Sequence, residues 1–201
     1  DRLGKMASLA PTMMHFPNTF APHRALMESL LGLHREKQLP RFAGQSFDAW
    51  FRERNHGRST SESGDHDVVL FATCFVNWNE PEVGKDTVAV LEHNDCRVTC
   101  PELVCCGMPA LDGGDIETAR KHAKANVKAL HPLVKRGAKI AVINPTCSLM
   151  LKQEYAELLD DDLFDADAPL SRMAHATVLE VTEMRSLDGI SDIAGRMARL
   201  R

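Results

Sequence analysis

The side chains best suited to chemistry in this chain are its thiols. All six cysteines lie between Cys74 and Cys147. Thiolate sulfur is the donor that iron–sulfur clusters require, and four such sulfurs can also close a tetrahedral shell around zinc. Cys74, Cys105, Cys106 and Cys147 are the four candidates. No C-x2-C pair of the zinc type occurs, and adjacent cysteines are awkward ligands for one tetrahedral ion, so the spacing favours a cluster. The competing explanation is that buried cysteines act as small hydrophobes. Cys96 and Cys100, at the two ends of a short alternating run, read in that way as core. A thiol–disulfide redox site using two of the four remains a third reading.

The local sequence explains why these four stand together. Asp67–Cys74 is a continuous apolar run closing on small polar residues, the pattern of a buried parallel strand. Cys96–Cys100 alternates like a second strand, and Lys139–Asn144 reads as a third. Between them, residues 84–93 predict a helix with Val88, Leu91 and Ala89 inward. Asp115–Val134 predicts a longer one, capped by Asp115 and lined by Ile116, Ala119, Ala123, Val127, Leu130 and Val134. A further helix is expected from Ser148 to Leu159. The expected fold class is α/β, a Rossmann-like layered domain with a short parallel sheet, preceded by a helical linker segment. Each candidate cysteine then follows a strand, and in an open parallel sheet the loops at the carboxyl ends share one rim, where ligands bind. Gly107 and the Gly113-Gly114 pair let backbone approach a bulky group in the loop that carries Cys105-Cys106-Gly107-Met108-Pro109.

Upstream, residues 1–58 are basic and helical in pattern, with Pro22 opening a helix that ends near Gly32. Phe47, Trp50 and Phe51 share one helix face, as packing rather than a binding box. Asn55–Asp65 is a polar, Gly/Ser-rich linker, placing a boundary near residue 64. With 24 basic and 28 acidic residues, the net charge of −4 excludes a strongly basic nucleic-acid binder. The longest mainly apolar run, Val68–Val76, is about half the ~18–20 residues that span a membrane. The nine histidines show no paired spacing and are read as surface or packing residues. Asp160-Asp161-Asp162 lacks the alternation of a calcium loop and reads as a solvated acidic turn.

Thr73-Cys74, Cys105-Cys106-Gly107-Met108-Pro109 and Pro145-Thr146-Cys147-Ser148 resemble the cysteine-rich CCG domain. That domain recurs in the B subunit of heterodisulfide reductase, in the C subunit of anaerobic glycerol-3-phosphate dehydrogenase and in the glycolate oxidase iron–sulfur subunit. Asn77, Glu80-Pro81, Gly84, Asn126 and Leu151-Lys152-Gln153-Glu154-Tyr155 support the match. Leu39-Pro40-Arg41-Phe42 and Phe47–Phe51 resemble the linker that precedes the domain in the glycerol-3-phosphate dehydrogenase group.

The resemblance implies a helical linker over 1–64, a CCG domain over 65–160 and a connector toward a second CCG domain over 161–201. The chain, beginning at Asp1, then reads as an internal fragment. It implies a [4Fe–4S] cluster on Cys74, Cys105, Cys106 and Cys147, lined by Gly107, Pro109, Thr146 and Ser148. It further implies an electron-transfer subunit that relays electrons from an FAD-containing dehydrogenase subunit to a quinone-linked or membrane-anchored acceptor. The reducing compartment that free thiols suggest is the cytoplasm, and the resemblance adds peripheral attachment at the inner face of the membrane. A cluster-free docking module is the alternative from another class. One departure stands out: the fullest family pattern ends in C-x2-C, but Met150 holds the last position, and a thioether is a poor substitute for thiolate. Plain electron relay is therefore favoured over disulfide-reducing catalysis.

Overall fold

In the computed structural model, strand β1 (Asp67–Phe71) is buried along its whole length. It takes a parallel neighbour on each side, pairing Val68 with Val98 of β2 (Arg97–Thr99) and Val69 with Ile140 of β3 (Lys139–Val142). The structure describes residues 4, 6–7, 11–37, 40–55, 67–159 and 177–180. A fourth strand, β4 (Thr177–Glu180), lies parallel to β3, so the sheet order is β2-β1-β3-β4. This strand falls in the stretch read from sequence as a connector; a four-residue segment with weak flanking signals carries little periodicity to detect.

Alternation along the strands divides the core between two faces. Val69, Phe71, Ile140 and Val142 meet one helix, α7 (Ile116–Lys135), through Ala119, Ala123, Val127 and Leu130. Val68, Leu70, Ala141 and Ile143 meet α5 (Pro81–His93) through Val88 and Leu91. The result is the expected α/β layered domain with a short parallel sheet. Two residues expected inward are not. Ala89 is exposed, because the buried stripe of α5 runs Gly84, Thr87, Val88, Leu91 at helical spacing. Ile116 is also exposed, being the first residue of α7, one turn short of the packing that starts at Ala119.

Helices described before the sheet include α1 (Pro11–Thr19), α2 (Ala21–Leu31) and α3 (Phe47–Arg54). Helix α3 is part of the core, since Phe47 and Phe51 are buried beside Leu70, Val76 and Val88. A Cβ on Gly84 would meet the Phe47 ring at 2.5 Å, so α5 accepts α3 only because that position has no side chain. Arg54 spans to Glu92 with two hydrogen bonds, closing the same contact at its far end. The polar linker centred on residues 56–66 and the acidic run at Asp160 lie outside the described residues.

Candidate metal centre

Two of the candidate cysteines, Cys74 and Cys147, follow a strand on a short capped helix. Cys74 opens α4 (Cys74–Trp78), a helix not anticipated from sequence, whose first turn is capped by the Thr73 hydroxyl accepting from the Val76 N–H at 3.3 Å. Cys147 lies in α8 (Pro145–Leu149), capped by the Asn144 side chain accepting from the Thr146 N–H at 2.9 Å. Cys105 and Cys106 lie between β2 and the short helix α6 (Met108–Asp112), which begins after Gly107 at φ 98°. There a side chain would be strained, and an added Cβ would sit 3.4 Å from the Ala119 backbone of α7. The helix predicted for 148–159 is present, running from Pro145 to Leu158 as α8, a π-helical stretch (Met150–Glu154) and α9 (Tyr155–Leu158) without a break. Such π stretches are rare and concentrate at functional sites.

The four thiols form a chain of pairwise contacts. Cys74 contacts Cys105, Cys105 contacts Cys106, and Cys106 contacts Cys147, each through a side-chain hydrogen bond. Backbone N–H groups of Phe75, Gly107 and Met108 point at Cys74, Cys105 and Cys106 respectively. Hydrogen bonds from Cys106 and Cys74 hold the Cys105 thiol well below its usual range. Cys74 and Cys106 are correspondingly pushed up, as donors to Cys105 and by burial. Among the described residues, no three His, Cys, Asp or Glu side chains close on a single metal ion. Four thiol sulfurs drawn from three loops are donors of the type that iron–sulfur clusters and zinc both take.

Two residues that sequence reasoning used only as family markers fix the cysteine pair from behind. Asn126, fully buried on α7, accepts from the Val104 N–H at 3.0 Å. Its amide nitrogen faces the Val104 and Cys105 carbonyls, both at 3.2 Å, and the Tyr155 hydroxyl at 2.9 Å. Tyr155 in turn donates to the Cys106 carbonyl at 2.9 Å. Burial pushes the Tyr155 phenol further up, so it stays a neutral donor. The detectable signals were an amide on an otherwise apolar helix stripe and the chain's only tyrosine.

The remaining candidates are placed differently. Gly107 is buried against α7 beside the fully buried Met150, whose Cε lies 3.4 Å from the Gly107 Cβ position. Ser148 is fully buried one residue past Cys147. Pro109 and Thr146 are exposed. Cys96 packs at the edge of the second core cluster, its thiol reaching the Asn94 carbonyl at 3.6 Å. Cys100 belongs to the same cluster, but it also lines a cavity of about 140 Å³ with Cys74 and Cys105. Asp48, Arg52 and Asn77 form part of the same wall, so α3 borders the cavity that Cys74 and Cys105 line. Asp48 and Asn77 are joined twice, the Asp48 N–H donating at 2.9 Å and the Asn77 amide donating back at 2.8 Å. No helix among the described residues is long and apolar enough to cross a membrane.

Residues 68–152 match the family described as CCG, cysteine-rich domain. Over 164 residues, 81% of the chain, it is 29% identical to the C subunit of anaerobic glycerol-3-phosphate dehydrogenase from Escherichia coli (strain K12). Over 96 residues, 47% of the chain, it is 40% identical to lactate utilization protein A of Shouchella clausii (strain KSM-K16) and 36% identical to that of Bacillus cytotoxicus. The chain spans 41% of the length of the first relative and 38% of the other two. No solved structure matches. Residues 68–152 are therefore a cysteine-rich CCG domain, homologous to the matching stretches of the C subunit of anaerobic glycerol-3-phosphate dehydrogenase and of lactate utilization protein A.

Proposed function

We propose that this chain is an iron–sulfur electron-transfer module of a dehydrogenase complex, with Cys74, Cys105, Cys106 and Cys147 as ligands of one [4Fe–4S] cluster. The observation that carries the reading is the contact of four thiols from three strand-end loops. Bound there, an iron–sulfur cluster supplies a one-electron carrier whose potential the protein tunes by burial and N–H···S contacts. The chain's own part is to keep Cys105 as thiolate and aim the N–H groups of Phe75, Gly107 and Met108 at sulfur. It also locks the cysteine pair through Asn126 and Tyr155. Buried Met150 fills space beside Gly107, where a thioether adds packing rather than a ligand.

The proposed division is a helical segment over 1–64, the CCG domain over 65–160 and a following segment over 161–201, with α3 and β4 packing onto the domain from either side of it. The relatives are named as a dehydrogenase subunit and a lactate utilization protein. By their analogy the module takes electrons from an FAD-containing partner subunit and passes them to a quinone-linked or membrane-anchored acceptor. Its location on this reading is the cytoplasm, peripheral at the inner face of the membrane. Anaerobic purification with iron and sulfide analysis tests the reading, with about four irons per chain expected for one such cluster. A chain that stays colourless and iron-free after anaerobic reconstitution would sink it. The thiol contacts also place Cys74 against Cys105 and Cys106 against Cys147, so thiol counting before and after reduction separates a disulfide site from a cluster.

A further inference from the structure

Few buried side-chain polar atoms lack a partner among the described residues, and one of them stands beside the thiol centre. The Nδ1 of His122 is buried and makes no hydrogen bond. Its place on α7 is bracketed on both sides. Three residues earlier, the Ala119 backbone lies 3.4 Å from the Gly107 Cβ position. Four residues later, the Asn126 amide donates to the Cys105 carbonyl at 3.2 Å. Residues three and four apart share a helix face, so His122 lies on the face laid against the Cys105–Gly107 loop. It lies close enough to act electrostatically on Cys105 and on the cap residue Asp115. Buried polar groups in folded proteins are almost always paired. An orphan nitrogen at this spot calls for a partner that the polypeptide does not supply.

We propose that His122 is a tuning residue of the sulfur centre, its Nδ1 held to donate a hydrogen bond to a sulfur of the cluster beside Cys105. This rests on the iron–sulfur reading above. A sulfur accepts an N–H bond more strongly when the cluster carries the extra electron, so the donor favours the reduced state and raises the potential.

The test compares the anaerobically prepared full chain with three variants. His122→Phe keeps a ring without a donor, His122→Asn places an amide nitrogen near the Nδ1 position, and His122→Gln places it near Nε2. Iron and sulfide per chain are measured together with the midpoint potential and the EPR spectrum. All variants are expected to keep the parental iron content. His122→Phe and His122→Gln should lower the equilibrium constant for one-electron reduction by about tenfold, which corresponds to about 59 mV. His122→Asn should recover most of that loss. A parent chain that takes up no iron overturns the iron–sulfur reading and this inference with it. An iron-loaded parent whose potential is unchanged by His122→Phe overturns the inference alone, as does an equal fall for Asn and Phe. Should the Phe variant fail to fold, equal potentials for Asn and Gln overturn it by the same logic.

Discussion

Replacing Tyr155 with Phe removes one oxygen and leaves the ring, so it isolates the hydrogen bond that holds the cysteine pair. Tyr155 is fully buried, as is Asn126, and Cys106 is 3% exposed, so water cannot replace what is lost. The Cys106 carbonyl loses its 2.9 Å donor. The Asn126 amide loses the hydroxyl at 2.9 Å but keeps the Val104 and Cys105 carbonyls, both at 3.2 Å. One buried carbonyl is therefore orphaned, a cost of about 1–3 kcal/mol, with no cavity to add to it. Urea unfolding followed by the fluorescence of Trp50 and Trp78 reads this as a fall in midpoint at constant slope. The loss should couple with that of Asn126→Leu by at least about 0.5 kcal/mol in a double-mutant cycle, because the two side chains form one network. Iron-loaded Tyr155→Phe should also release iron faster to a chelator. A destabilisation below about 0.5 kcal/mol, the level of an ordinary surface change, would refute the clamp. So would additivity with Asn126→Leu.

Three further outcomes follow from the same geometry. Gly84→Ala drives a methyl toward the Phe47 ring, 2.5 Å from its Cβ position, and should cost about 1–3 kcal/mol in urea unfolding; a neutral result would mean α3 is not seated on α5. Met150→Leu conserves volume in a fully buried site and should cost less than about 1.5 kcal/mol with unchanged iron content; a loss of iron would make the thioether a ligand. In the reduced, iron-free chain, iodoacetamide should label Cys105 at a rate nearly flat in pH, because that thiol is already ionised. Cys100 is pushed up to about 12 by burial and then by the charge of Asp48, so its labelling should climb about tenfold per pH unit from 7 to 9. Equal rates at pH 6, measured by peptide mass spectrometry, would contradict both assignments.

The layered α/β class was readable because each of its parts leaves a local signature. An apolar run from Val68 to Phe71 reflects a strand buried on both faces, and a stripe through Ala119, Ala123, Val127 and Leu130 reflects a helix packed on one of them. The short elements were not readable. Five-residue helices at Cys74 and Met108 and the π stretch at Met150 hold too few residues to show a period. Strand β4 has the same deficit. Asn77 was noted as a family marker, yet its two hydrogen bonds to Asp48 join positions 29 residues apart, which no local pattern encodes.

By itself the sequence determined the thiol inventory, the strand that precedes each candidate ligand and the absence of a fifth cysteine three places after Cys147. These are properties of residue type and local order, and local order survives in any fold of the same class. Tertiary structure alone decided which groups surround the sulfurs. It brought Asn126 and Tyr155 behind the cysteine pair, laid Met150 beside Gly107 and turned the Phe47 helix onto the wall of the cavity. It also separated Cys100, which faces that cavity, from Cys96, which does not line it. Two cysteines four residues apart differ here because the Cys100 thiol turns to the Leu70 carbonyl of the first strand at 3.5 Å, whereas the Cys96 thiol turns to the Asn94 carbonyl at 3.6 Å.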